Sequence, residues 1–357
     1  MSNILDILAS DWDNIGSGRA GIDERGMIFE WDTHCALKTL GVYDRLKKNS
    51  FLTNPDGAWG NIKPLWEQRY IPALESGDLR GLLDLMRNFF RNELSAGLIS
   101  HVSERNPSGF DHEGVNGKIV CDLVACARRH PEVQLAQLEI PCIGNPYGLG
   151  IEHHLIVPDA PRHYSHAKKI IQLMSEVEYP RILEIGAGYG GVLYMLQSLM
   201  AGKRYQYVIC DLECVLFIAL YFLQTSKAIL NYPERISFVC DPDDWNNEDI
   251  TRADIILVPA TLLSSLSEHR FDLVYNSNSF SEMDGHTLKR YFDFINVIAP
   301  QYIFLMANLW GGLAFDYPTI KLSDFPISED YKVAEWCYAP WIAGAGKSKE
   351  VVYARMR

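Results

Sequence analysis

The chain has 357 residues, 48% of them apolar and 22% charged, the balance of a globular protein that buries a substantial core in one large or two ordinary domains. Its 33 basic and 45 acidic side chains leave a formal net charge of −12, which argues against nucleic acid as a partner, since phosphate binders present a basic face. The 26 glycines and 17 prolines fall short of fibrous or low-complexity proportions.

The opening MSNILDILASDWD carries acids where a signal peptide carries bases, and no apolar run reaches the roughly 20 residues of a membrane span. The eight cysteines are scattered and include no Cys-x-x-Cys pair. A reduced, cytoplasmic protein with no membrane span is therefore expected, and a homo-oligomer is compatible with it.

To about Val157 the signal is mostly helical. Leu82, Leu83, Leu85, Met86, Phe89, Phe90 and Leu94 form an apolar stripe that predicts a helix over Leu79–Leu98. Ile119–Arg129 is a second helix, and the polar His101–Gly117 and turn-rich Pro141–Asp159 are loops by composition. His153, His154, His163 and His166 match no compact zinc spacing, so no metal is expected.

From about Ala160 β-branched runs alternate with helical ones. A helix over His166–Val177 leads into a strand at Arg181–Ile185. A helix at Val192–Met200, a strand at Gln206–Cys210 and a helix at Cys214–Leu230 follow. Ile236–Cys240, Ile255–Val258 and Phe271–Asn276 read as strands, Thr287–Ala299 as a helix and Tyr302–Ala307 as a strand. Val333–Trp336 and Val351–Arg355 close the chain without a clear helix between them. Such alternation predicts a doubly wound α/β sheet, with an antiparallel end where the helix is missing.

Within this half, RILEIGAGYGGVLYML is a strand, a glycine-rich turn and a helix. Turns of this kind at the carboxyl ends of parallel strands bind nucleotide-like ligands, with the helix N-terminus aimed at them. Gly186-x-Gly188-x-x-Gly191, with Asp211 some twenty residues on, also satisfies the dinucleotide fingerprint. Glu184 favours a different ligand. A carboxylate near the end of a buried strand is costly unless something positive meets it, and S-adenosylmethionine offers an ammonium and a sulfonium.

ILEIGAGYGG resembles the glycine-rich first motif of class I S-adenosylmethionine-dependent methyltransferases, and YVICDLECVLFIALYFL resembles their second. FDLVYNSNSFSEMDGHTLKRYFDFI and the upstream IGNPYG are similar to segments of the putative sugar O-methyltransferase family. The resemblance covers roughly residues 143–308. It implies a Rossmann-like catalytic domain over 160–357 that binds S-adenosylmethionine. The helical region over 1–159 is then expected to act as lid and acceptor selector. It further implies that Glu184, Gly186, Gly188 and Gly190 surround the methionine part, with Ala187 and Tyr189 of the same turn also binding the cofactor. Asp211 meets the ribose and Leu212 the adenine. The third strand is either Ile236–Cys240, ending at Asp241, or Ile255–Val258, ending at Pro259; the second is preferred, which makes the first part of an insertion. Asn276 and Ser277 lie over the transferable methyl, and the acceptor is a sugar or glycan hydroxyl.

Such a hydroxyl is almost wholly protonated near neutral pH and calls for a general base. His286 is the leading candidate because its intrinsic pKa leaves it able to accept a proton, with Glu282 and Asp284 as acidic alternatives. Two structural roles compete with these. Ser279-x-x-Glu282 has capping-box spacing, and Asp211 is placed to cap the next helix. A methyltransferase acting on a non-sugar molecule, a nicotinamide- or flavin-dependent oxidoreductase and a non-catalytic cofactor-binding subunit stand as rival readings.

Overall fold

A computed structural model of the protein describes residues 4–10, 32–52, 54–98, 112–200, 202–230, 234–341 and 348–356. Its N-terminal half contains helices α1 (Ile4–Ser10), α2 (Asp32–Lys48), α3 (Gly57–Trp66), α4 (Tyr70–Ser76), α5 (Leu79–Met86) and α6 (His112–Arg129). A small antiparallel hairpin of β1 (Leu149–Ile151) and β2 (His154–Ile156) follows.

The helix expected over Leu79–Leu98 ends at Met86. Past that point tertiary bonds replace the helical ladder: the Phe90 amide donates to the Gly144 carbonyl at 3.0 Å. The Arg91 guanidinium donates to the carbonyls of Asn145 and Pro146 at 2.7 and 3.1 Å. Phe89, Phe90 and Leu94 are still buried, so the apolar stripe reported burial but not helix length. The His101–Gly117 loop lies outside the described residues as far as 111, and from His112 the chain is helical.

The second half runs α7 (Ala160–Leu173), β3 (Arg181–Ile185), α8 (Gly191–Leu199), β4 (Gln206–Asp211), α9 (Glu213–Leu230), β5 (Ile236–Phe238), α10 (Glu248–Thr251) and β6 (Ile255–Pro259). It continues through β7 (Leu273–Ser277), α11 (Ser279–Glu282), α12 (Gly285–Ile298) and β8 (Tyr302–Asn308). A tiny hairpin of β9 (Leu313–Ala314) and β10 (Tyr317–Pro318) precedes β11 (Tyr331–Tyr338) and β12 (Ser348–Arg355).

Eight strands form one sheet in the order β11-β12-β8-β7-β3-β4-β6-β5. β3 pairs in parallel with both β4 and β7, so the winding reverses there and a crevice opens at the carboxyl ends of those strands. β12 runs antiparallel to β8, and β11 antiparallel to β12, as the missing last helix foretold. β6 neighbours β4, and β5 is an added edge strand.

Side chains alternate across the sheet. Leu183, Ile185, Val208 and Val274 face α12. Ile182, Tyr207, Ile209 and Tyr275 face α7, α8 and α9, and share one apolar cluster with the N-terminal helices. Among the described residues no helix is long and apolar enough to cross a membrane.

Candidate active site

A cavity of about 660 Å³ opens at the carboxyl edge between β3, β4 and β7. Its floor is the turn from β3 into α8. Gly186, Gly188 and Gly190 all have positive φ, at 75, 59 and 89°, where a Cβ is strained. Space decides as well: a Cβ on Gly186 would lie 2.0 Å from Ser279 Oγ.

Asp211, at the tip of β4, ties this turn to the sheet. Its carboxylate accepts the Gly188 amide at 3.1 Å and the Leu212 amide at 2.7 Å. Burial pushes its pKa up to about 7 against those amide bonds. Asp211 also lines the cavity, and its carboxylate accepts the amide of Leu212 just before α9 rather than an amide within that helix.

Glu184 also lines the cavity. It is 2% exposed and accepts a 2.8 Å hydrogen bond from the Tyr207 hydroxyl. Burial pushes its carboxyl up to about 8, opposed by the Tyr207 bond. Ala187, Tyr189, Leu212 and Ser277 join the lining.

Five expected residues do not reach the cavity lining. Gly190 is the cap residue of α8 and lies outside the lining. Pro259 ends β6 beside Asp211, but the residues after it, Ala260 and Thr261, line the cavity. Asn276 is fully buried and clamps two strand ends: its amide donates to the Ile185 carbonyl at 2.7 Å and to Ser279 Oγ at 2.5 Å. Asp284 caps α12, accepting the Thr287 amide at 2.7 Å. His286, the leading base from the sequence, sits one residue into α12 and is exposed, because the helix turns it outward.

Glu282 does line the cavity. The capping box expected for it is not made: Asn278 is the cap residue of α11. Instead Glu282 accepts the Trp59 indole N–H at 3.2 Å. Burial raises its carboxyl to about 7, although the Trp59 bond and Arg162 pull it down.

Trp59 belongs to the N-terminal region, which also supplies Leu52, Asn54, Pro55, Asp56 and Leu98 to the lining. The close fit is set at Gly57, where a Cβ would lie 2.4 Å from the Glu282 carbonyl, and Thr287 Oγ1 donates to Asp56. Leu52, Leu313 and Phe315 add apolar surface to the lining beside the exposed Asn54, Asp56, Thr261 and Arg290. Asn61 holds the Phe315 carbonyl at 2.8 Å. Phe315 and Asp316 both have positive φ, an unfavourable conformation for residues with a Cβ that the hairpin imposes.

Two lining residues that the sequence did not single out as site residues lie on α7. Arg162 is 9% exposed and donates from Nη1 to Ser277 Oγ at 2.8 Å. Its Nη2 pairs with Asp159 at 3.3 Å, and its buried Nε has no hydrogen-bond partner. His163 is held neutral, with burial and the adjacent Arg162 lowering its pKa to about 3. The first two turns of α7 are buried on every side, so the usual inference from polar to exposed fails there.

The cavity thus holds one buried guanidinium with a spare donor and three carboxyls with raised pKa values. No group of three or more His, Cys, Asp or Glu side chains among the described residues is arranged to hold a metal ion.

No protein-family model and no curated protein matches the chain. Solved structures do. The small RNA methyltransferase HEN1 is 12% identical with a TM-score of 0.37, over 54% of this chain and 25% of that one. The magnesium protoporphyrin IX methyltransferase ChlM from Synechocystis PCC 6803, crystallised with SAM, is 11% identical with a TM-score of 0.35, over 55% of this chain and 81% of that one. EvdMO1 is 14% identical with a TM-score of 0.36, over 64% and 48%. The fold itself, a Rossmann-like α/β sheet with an antiparallel end, rests on the strand order.

Proposed function

We propose that the chain is an S-adenosylmethionine-dependent O-methyltransferase acting on a small acceptor of the sugar or glycan type. The observation that carries this reading is the charge pattern of the cavity. Arg162 and Glu184 line it together, as an α-amino acid with one carboxylate and one ammonium requires. A dinucleotide would instead bring two phosphates toward Glu184, Asp211 and Glu282, and like charges in a poorly solvated site repel strongly. The glycine turn leaves room for the backbone to approach, and Asp211 at the tip of β4 is placed to accept from ribose hydroxyls.

When bound, S-adenosylmethionine supplies a methyl group made electrophilic by its sulfonium. The protein's own share is positioning and proton transfer. Glu282 accepts the acceptor hydroxyl's proton on a carboxylate oxygen. Its pKa near 7 suits a base that works at neutral pH. Trp59 holds one of its oxygens, which leaves the other for the substrate. Leu52, Leu313 and Phe315 in the lining offer apolar surface to a sugar's C–H face and exclude water. The N-terminal region, which carries Leu52 and Trp59, acts as lid and acceptor selector. Asp56 and Glu282 on the same rim disfavour a polyanionic acceptor.

Thermal shift with S-adenosylhomocysteine, NAD and NADP tests the cofactor: stabilisation by the first alone is expected, and a response to NAD alone sinks the reading. A mass-spectrometric screen for a 14-dalton gain across glycosides, sugar nucleotides and short RNAs tests the acceptor. Methylation of RNA but no glycoside would replace the sugar by nucleic acid.

A further inference from the structure

Behind the cavity a line of hydrogen bonds runs from Arg162 to the far end of the sheet. Arg162 Nη1 donates to Ser277 Oγ at 2.8 Å. Ser277 and Tyr275 are two apart on β7, so they share a face, and Ser277 favours the ionised form of the Tyr275 hydroxyl, as a donor beside it does. The Tyr275 hydroxyl lies 2.6 Å from His166 Nδ1. His166 Nε2 lies 3.2 Å from Glu350 Oε1 on β12. Glu350 is held further by Trp341 Nε1 at 2.5 Å and by Arg129 at 2.8 Å.

The two ends fix the direction of this line. A guanidinium only donates and an ionised carboxylate only accepts. Burial pushes the Glu350 carboxyl up, but His166, Arg129 and Trp341 outweigh it and hold the pKa at about 2, so the group is ionised. Burial pushes the His166 pKa below its ordinary value, against the pull of Glu350, and so favours the neutral ring. Its single proton must then sit on Nε2 facing Glu350, and Nδ1 must accept from Tyr275. Tyr275 accepts from Ser277, and Ser277 accepts from Arg162. Every hydroxyl in the line is committed, and none can turn round to donate to Arg162's neighbours.

We propose that His166 and Glu350 are positioning residues which act through Tyr275 and Ser277 to fix the Arg162 guanidinium, so that its unpaired Nε–H faces the carboxylate of an amino-acid-bearing ligand. This rests on the cofactor reading above. It adds that the last strand of the sheet sets the geometry of the carboxylate subsite. A line polarised by charges at both ends also resists reorientation better than its separate bonds would.

The test uses two ligands that differ only in that carboxylate: S-adenosylhomocysteine and its decarboxylated analogue, which keeps the amine. Wild type should prefer the first. Tyr275→Phe and Glu350→Gln should each weaken S-adenosylhomocysteine by about tenfold, the cost of disturbing a hydrogen bond to a charged group, and leave the analogue unchanged. In an Arg162→Ala background neither substitution should cost anything more, because coupled residues are not additive. Equal losses for both ligands mean that the line is only structural and overturn the proposal. Equal wild-type affinity for both ligands overturns it as well. Binding of neither ligand by wild type is the distinct result in which the cofactor reading has failed. Nitrogen NMR of His166 needs no ligand: the neutral Nε2–H tautomer is expected, and the Nδ1–H tautomer reverses the line and refutes it.

Discussion

The protein buries carboxyl groups in two places and treats them in opposite ways. Glu350, behind the sheet, is surrounded by His166, Arg129 and Trp341, and its pKa falls to about 2 although burial alone would raise it. Glu184, Asp211 and Glu282 line the cavity, and burial drives them up to about 8, 7 and 7. The difference is the supply of donors: His166, Arg129 and Trp341 all close on the single carboxyl of Glu350, and Arg129 is a cation. The fold provides for Glu350 from within. At the cavity the three acids share neutral donors and one buried guanidinium, Arg162, while the second lining guanidinium, Arg290, is exposed. A site left short of cations is one whose ligand brings them.

The largest effect that bears on this contrast is on turnover. Glu282→Gln removes the proposed base and keeps its shape, so turnover should fall about 10²–10⁴-fold while S-adenosylhomocysteine binding stays near wild type. A fully active Glu282→Gln would return the cavity acids to a purely electrostatic role. Next comes Arg162→Ala, expected to weaken S-adenosylhomocysteine by about 1.5–3 kcal/mol, the range for a charged hydrogen-bond partner. Calorimetry that finds unaltered affinity would leave the buried cavity guanidinium without a ligand partner.

Stability should separate the two sets by sign. Glu350→Gln should destabilise the fold by about 1–3 kcal/mol, since a satisfied buried charge loses part of its shell. Glu184→Gln should raise the melting temperature of the ligand-free protein at pH 8.5, because an uncompensated charge is removed, and should weaken S-adenosylhomocysteine. Chemical denaturation that destabilises both alike would erase the distinction.

The pH dependence carries the same sign. Ordinary carboxyls titrate near 4, so up to about pH 8 the folded cavity binds more protons than the unfolded chain. Ligand-free stability from these groups therefore falls as pH rises through that window. Their ionisation attracts the ammonium of the ligand, so the thermal shift produced by S-adenosylhomocysteine should grow from pH 6 to 8.5. Glu350 behaves oppositely, its contribution being lost only as pH falls from about 4 toward 2. A ligand shift that shrinks with rising pH would contradict the assignment. The smallest effect is His286→Ala, expected to leave turnover and its pH profile unaltered, since the side chain is exposed and outside the cavity. A large loss there would restore histidine as the base.

The glycine turn, the parallel strands and the antiparallel close were legible because backbone demands and burial period are written locally. Glycine is the residue least strained at the three positive φ values, and a two-residue or 3.6-residue apolar rhythm needs no partner to be recognised. Glu184 and Asp211 could be read because they stand at fixed offsets from that turn.

The rim was misread for a physical reason. Asp284, His286 and Glu282 lie within five residues, and sequence cannot tell which one a helix start turns outward, which one caps it and which one faces the cavity. That depended on α3 arriving with Trp59 from more than two hundred residues away. Arg162 and the line to Glu350 were invisible for the same cause: polar residues on a helix read as solvent-facing unless the elements that bury them are known. Sequence by itself determined the sheet, its winding and the glycine cradle, whose rules act over neighbouring residues. Tertiary structure alone decided which charges are compensated, because compensation depends on distance in space between groups that the chain keeps far apart.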